Sequence, residues 1–239
     1  MIFGAIVAGG IGTRMNLSDL PKQFLPLGNE EKPIIIHTIE KFMMCDRLDR
    51  ICLGIHKDWI SYMEDMLDKY KLDKEKFLIS AGGADRNKTI LNIIENIEKN
   101  YGPSEDHIIV THDAVRPFLT LRMINENIDA AIEIGACDTV IPCIDTIVAS
   151  EDGNLISAIP NRQALYSGQT PQSFKMTELK NLYNDLTEAE KDILTDACRI
   201  FVMREKPVKL VRGDTFNIKI TDVSNYKIAS AILGGDMLD

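Results

Sequence analysis

Ile2-Phe3-Gly4-Ala5-Ile6-Val7-Ala8-Gly9-Gly10-Ile11-Gly12-Thr13-Arg14-Met15, with Pro21-Lys22-Gln23-Phe24 shortly after, is the stretch whose reading decides the fold. Its apolar start suits a buried strand, and the glycines at 9, 10 and 12 open a loop beyond that strand. Glycine lets backbone N–H groups approach phosphate oxygens with no Cβ in the way, and a helix N-terminus adds partial positive charge. Val7, Ala8, Gly9, Gly10 and Gly12 are therefore candidate nucleotide contacts, Arg14 is a candidate phosphate ligand, and Lys22 after Pro21 supplies a mobile full charge. A tight strand-to-helix turn would use the same glycines. The dinucleotide fingerprint lacks its third glycine, and no Lys-Ser or Lys-Thr follows to make a Walker loop. Arg14 and Lys22 suit a nucleoside triphosphate whose phosphates react better than a cofactor that is merely held.

The same logic recurs downstream. Phe77-Leu78-Ile79 predicts a short strand, and Gly82-Gly83-Ala84-Asp85-Arg86-Asn87 a second glycine turn before a helix over about 88–100. Two such loops at one sheet edge can embrace one nucleotide; a surface turn with an exposed arginine is the plainer alternative. His107-Ile108-Ile109-Val110-Thr111 predicts a central strand ending in His112-Asp113. An aspartate at the carboxyl end of a parallel strand points into the crevice where open α/β sheets bind ligands, and carboxylate oxygen suits Mg²⁺. Asp113 is thus the candidate metal ligand, with capping of the next turn as the alternative, and Arg116 is expected to anchor that loop. Helices are expected over about 34–43, 59–70, 121–134 and 224–233, and Trp59 is expected to pack. A capping-box pattern at Thr187 and Glu190 predicts a helix running to about residue 203. Residues 209–211 read as a strand, and Lys219 lies in an apolar run. Residues 138–165 read as a β-rich excursion that turns at Glu151-Asp152-Gly153-Asn154. The expected architecture is one α/β domain over residues 1–239, a Rossmann-like, mostly parallel sheet flanked by helices with a protruding β-hairpin arm.

These motifs resemble the signature of the nucleotidyltransferases that join a phosphorylated small molecule to a nucleoside monophosphate. Within the 2-C-methyl-D-erythritol 4-phosphate cytidylyltransferase-like family the chain looks most like the ribitol-5-phosphate type. The likeness runs on through Gly82 to Arg86, His112 to Phe118, Asp145-Thr146-Ile147, Gly168-Gln169-Thr170-Pro171-Gln172, Thr195-Asp196-Ala197-Cys198 and Asn217-Ile218-Lys219-Ile220-Thr221. It implies transfer of the cytidylyl group of CTP to D-ribitol 5-phosphate, giving CDP-ribitol for teichoic-acid or capsular polymers. It implies that the second glycine loop meets base and ribose with Thr89 near the phosphates, and that Thr146 and Thr170 adjoin the substrates. Arg14, Lys22 and Lys219 would meet the α-phosphate or acceptor, and Arg162 on the arm would grip the acceptor phosphate. The arm would embrace a second subunit, making a homodimer. A start unlike alanine-alanine-glycine at Val7-Ala8-Gly9-Gly10, with Tyr166-Ser167-Gly168-Gln169 and Thr195 to Cys198, separates the chain from the type that uses 2-C-methyl-D-erythritol 4-phosphate, the rival acceptor. A catalytically silent nucleotide-binding protein is the rival of another class.

Composition sets outer bounds. A chain of 239 residues that is 45% hydrophobic can bury a full core. No apolar run approaches the ~18 residues of a membrane span, and no signal peptide is apparent. The net charge of −9 argues against a nucleic-acid surface, while local cations can still reverse the field in a cleft. Five cysteines with no Cys-x-x-Cys pair predict free, core-filling thiols in a reducing cytoplasm. A phosphate-monoester acceptor is mostly dianionic at neutral pH, its second pKa being ~6, so no general base is required. The reaction needs cations instead.

Overall fold

The computed structural model describes residues 1–10 and 20–234. Gly12 and Arg14 lie outside the described residues. The chain runs β1 (Ile2–Ala8), β2 (Pro26–Leu27), β3 (Lys32–Pro33), α1 (Ile34–Met43), β4 (Arg50–Ile55), α2 (Ile60–Lys69), β5 (Phe77–Ala81) and α3 (Arg86–Tyr101). It continues with β6 (Ile108–Asp113), α4 (Leu121–Ile134), β7 (Ala136–Pro142), β8 (Tyr166–Lys175), α5 (Met176–Asn184), α6 (Glu188–Asp192), α7 (Cys198–Met203), β9 (Lys209–Arg212) and α8 (Val223–Gly234).

Seven strands make one sheet in the order β5-β4-β1-β6-β8-β7-β9. β8 runs antiparallel to both its neighbours, and every other pairing in that sheet is parallel. The apolar residues of β1 serve two cores, because helices cover both faces of a parallel sheet. Ile6 packs with α1, α2 and α4, whereas Phe3 and Ala5 pack with α3, α5 and α7. A third, smaller core joins Leu25, Leu27 and Ile34 to Val115, Ile220 and Ala229 of α8. Trp59 packs against Phe24 and Tyr62, with ring centroids 5.6 and 5.4 Å away.

Two expectations need correction. The helix predicted to run from 187 to 203 starts on the Thr187–Glu190 capping box but ends at Asp192, and α7 restarts where Asp196 Oδ1 accepts from Arg199 N at 2.9 Å. The stretch from Tyr166 to Lys175, to which the sequence reading assigned no element, is a strand. The excursion begins only after Pro142, and in place of a regular hairpin it holds one isolated bridge, Ala149 to Ala158. Ile144, Val148, Leu155, Ile156 and Ile159 stand exposed along it. A two-stranded ribbon with no face to pack on gains little from pairing. All five cysteines are unpaired, and all but Cys143 are buried. No helix among the described residues is long and apolar enough to cross a membrane.

Candidate active site

The two glycine loops meet. The N–H of Gly82 donates to Ile55 O at 2.7 Å, which carries the β5 loop across the end of β4 toward β1. A Cβ on Gly82 would lie 2.8 Å from Gly9 Cα, and one on Gly9 would lie 2.9 Å from Thr89 Oγ1. Backbone thus packs on backbone, and only glycine permits that approach. Gly82→Ala is therefore expected to cost about 1–3 kcal/mol of stability by overpacking. Gly10→Ala, whose Cβ would meet nothing within 4 Å among the described residues, is the comparison in a urea titration and is expected to cost less.

Between the loops lies a cleft of about 330 Å³. Val7, Ala8, Gly9, Gly10 and Lys22 line it from the β1 side, and Gly83, Ala84, Asp85, Arg86 and Thr89 from the β5 side. Asp113 and Lys219 complete its lining, joined by an ion pair. Thr89 turns its hydroxyl inward to hold the loop, donating to Asp85 O at 2.8 Å and accepting from Gly83 N at 2.9 Å. Asp85 caps α3 by accepting from Lys88 N at 2.8 Å, and Asn87 is buried outside the cleft lining.

Gln23, which sequence reasoning left without a role, fixes the first loop. It is 2% exposed and its Nε2 donates to Ala8 O at 2.9 Å and Gly10 O at 3.0 Å. One side chain therefore holds the glycine turn and stands next to Lys22. Its signal was present in Pro21-Lys22-Gln23-Phe24, as the polar residue beside a buried aromatic.

Asp113 is an ion-pair hub. Arg86 Nε donates to its Oδ1 at 2.9 Å, Lys219 Nζ lies 2.7 Å from Oδ2, and Arg116 Nε lies 3.8 Å from Oδ2. Burial alone would raise the pKa of this carboxyl; the charges of Arg86 and Lys219, with their hydrogen bonds, hold it well below the usual carboxylate range. Behind it His112 is pushed down to about 4 by burial and is neutral at pH 7. Its Nε2 lies 3.0 Å from Arg116 O, and its Nδ1 2.9 Å from the hydroxyl of Thr170, which also accepts from Asp113 N at 3.2 Å. Thr170 thus supports the strand end from behind rather than lining the cleft. Arg116 anchors as expected, donating to Asn217 O at 2.7 Å. Lys219 is not in the apolar setting expected of it: its side chain is 40% exposed and salt-bridged.

This donor set does not fit a divalent ion held by the protein. Both Asp113 oxygens face cations, and among the described residues no three His, Cys, Asp or Glu side chains converge. Arg162 and Thr146 lie on the exposed excursion, outside the cleft lining of their own chain, and Arg162 Nη1 donates to Ile144 O at 2.6 Å.

A glycine-walled cleft at the carboxyl ends of β1, β5 and β6, lined by cations, defines a nucleotidyltransferase-type α/β protein. The family model for IspD, 2-C-methyl-D-erythritol 4-phosphate cytidylyltransferase, matches residues 2–235, and the chain belongs to that family. It is a CTP-dependent cytidylyltransferase enzyme. Solved structures agree on the fold. The 4-diphosphocytidyl-2C-methyl-D-erythritol synthase of Anaerococcus prevotii is 24% identical with a TM-score of 0.75, covering 97% of each chain. The 2-C-methyl-D-erythritol 4-phosphate cytidylyltransferase of Francisella tularensis is 22% identical, with a TM-score of 0.78 over 95% of this chain and 97% of that one. The Thermus thermophilus enzyme is 22% identical, with a TM-score of 0.71 over 98% and 99%.

Proposed function

We propose that the enzyme transfers the cytidylyl group of CTP to D-ribitol 5-phosphate, releasing pyrophosphate and giving CDP-ribitol for a cell-wall or capsular polymer. The observation that carries the transfer is the cationic cleft itself, where Arg86 and Lys219 pair with one buried carboxylate and Lys22 lines the same cleft inside an acidic molecule. The triphosphate lies against the two glycine loops, with Lys22 and Lys219 bringing the two anions together. The ionised acceptor attacks the α-phosphorus in line with departing pyrophosphate, and Lys22 bears the charge that develops there. Arg14 belongs to the same phosphate set. A divalent ion would enter with the triphosphate and help to neutralise its charge.

The acceptor assignment rests on this chain's own motifs. Gln169, from Tyr166-Ser167-Gly168-Gln169, donates to Asp214 O at 2.9 Å and its Oε1 accepts from Asn217 Nδ2 at 3.2 Å, so the distinguishing segment shapes the loop that leads to Lys219. The second reading is 2-C-methyl-D-erythritol 4-phosphate as acceptor, and the family model and the names of the solved structures favour it over ribitol 5-phosphate. Pyrophosphate release with CTP, Mg²⁺ and each polyol phosphate in turn separates them; turnover with the methylerythritol substrate alone sinks the ribitol assignment. Arg162 and Thr146 act across a homodimer in which the exposed arm of one subunit reaches the other's cleft. Sedimentation at the mass of one 26.8 kDa chain would remove that arrangement.

A further inference from the structure

We propose that Asp138 is a positioning residue for this reaction, acting through Gln172 on Arg86 and from there on Asp113 and Lys219. The inference rests on CTP binding in the cleft and not on which acceptor is used. Asp138, Gln172 and Thr111 form one cross-strand row over β7, β8 and β6, and Asp113 lies two residues beyond Thr111. Asp138 Oδ1 accepts from Gln172 Nε2 at 3.0 Å, and Gln172 Oε1 accepts from Arg86 Nη1 at 3.1 Å. Arg86 then donates Nε to Asp113 at 2.9 Å, and Lys219 closes the series at 2.7 Å.

The series has a direction. An ionised carboxylate only accepts, so Asp138 compels Gln172 to turn its amide N–H₂ inward and its carbonyl toward Arg86. Arginine only donates, so the same amide orientation satisfies both neighbours. A protonated Asp138 can donate instead, and the amide then loses its reason to face one way. The groups that bear on Asp138 are Asp196 before α7, Cys198 on α7, Arg86 on α3, Arg116 beyond β6 and Cys137 beside it. Burial and the charge of Asp196 push its pKa up to about 6 against the opposing pull of Gln172, Arg86 and Arg116, so the amide loses its direction in mildly acidic solution. Arg86 Nη2 is buried and finds no acceptor among the described residues, so Gln172 and Asp113 alone orient this guanidinium through side-chain bonds.

Calorimetric titration of CTP with Mg²⁺ reads the series without an acceptor. Asp138→Leu and Gln172→Met are each expected to weaken CTP about five- to tenfold, and the double variant no further than the worse single, because both cut one series. Losses that multiply in the double variant overturn the proposal. Asp138→Asn imitates the protonated aspartate: its CTP affinity is expected to be about threefold below wild type at pH 8 and equal at pH 5. Titration of CTP itself cancels in that ratio. A ratio that is flat from pH 8 to pH 5 overturns the proposal even where Asp138→Leu fails to fold. Turnover with whichever polyol phosphate is active should fall in parallel, and a protein inactive with every acceptor would count against the functional reading while leaving the binding test intact.

Discussion

Lys22→Ala is expected to lower turnover by two to three powers of ten at saturating CTP and acceptor. Removing one donor aimed at developing charge costs roughly 2.7–4 kcal/mol in the transition state. Lys22 is half-buried on the cleft wall beside Gln23, whose side chain holds the start of the glycine turn. Stopped assays at saturation check the loss of turnover, and an unchanged kcat would remove Lys22 from the chemistry. Lys22→Arg keeps the charge on a different shape and should recover only part of the rate.

Asp113→Ala is the second large effect, and it falls on stability as well as on rate. It leaves Arg86, Arg116 and Lys219 gathered around an uncompensated gap, and breaking a buried pair in this way costs about 3–5 kcal/mol. For a chain of this size the melting temperature should fall by roughly 10 °C. The pH dependence has a definite sign. The folded-state pKa of Asp113 is depressed, so its contribution is fully present above the unfolded value of ~3.9 and is lost as pH falls below it. The gap in stability between wild type and variant should therefore close in acid, and urea titrations at pH 7 and pH 3 measure that closure. A gap that widened in acid would show that Asp113 is not the counter-ion of the cluster.

What the sequence made legible follows from the range of the interactions involved. The helix Leu121–Ile134 could be read to the residue, because Thr120 caps its start by accepting from Met123 N and Gly135 ends it at a φ of +101°. Both signals are local. The close approach of Gly9 beyond β1 was legible for the same reason, as was the placing of Asp113 at a strand end. β8 was not, since Gly168, Gln169, Pro171 and Gln172 lack strand preference and are held by neighbours on both sides. The roles of Gln23, Gln172 and Asp138 depend on partners 13 to 86 positions away, and no local pattern reports such pairings. The apolar run around Lys219 pointed toward burial, whereas its charge is drawn out to a carboxylate it could not be seen to face. The arm looked more regular in sequence than it is, because alternation of apolar residues signals a strand only where another surface receives them.

The small third core, with Tyr226 Oη donating to Pro26 O, ties the last helix to the segment that follows Lys22. Two cleft-lining lysines that lie far apart in sequence, Lys22 and Lys219, are thereby brought together by packing that must wait for α8. The sheet's first strands can pair before α8 is in place, but the far side of the cleft is held only once that helix has docked. A chain cut before α8 would carry its glycine loops without that support.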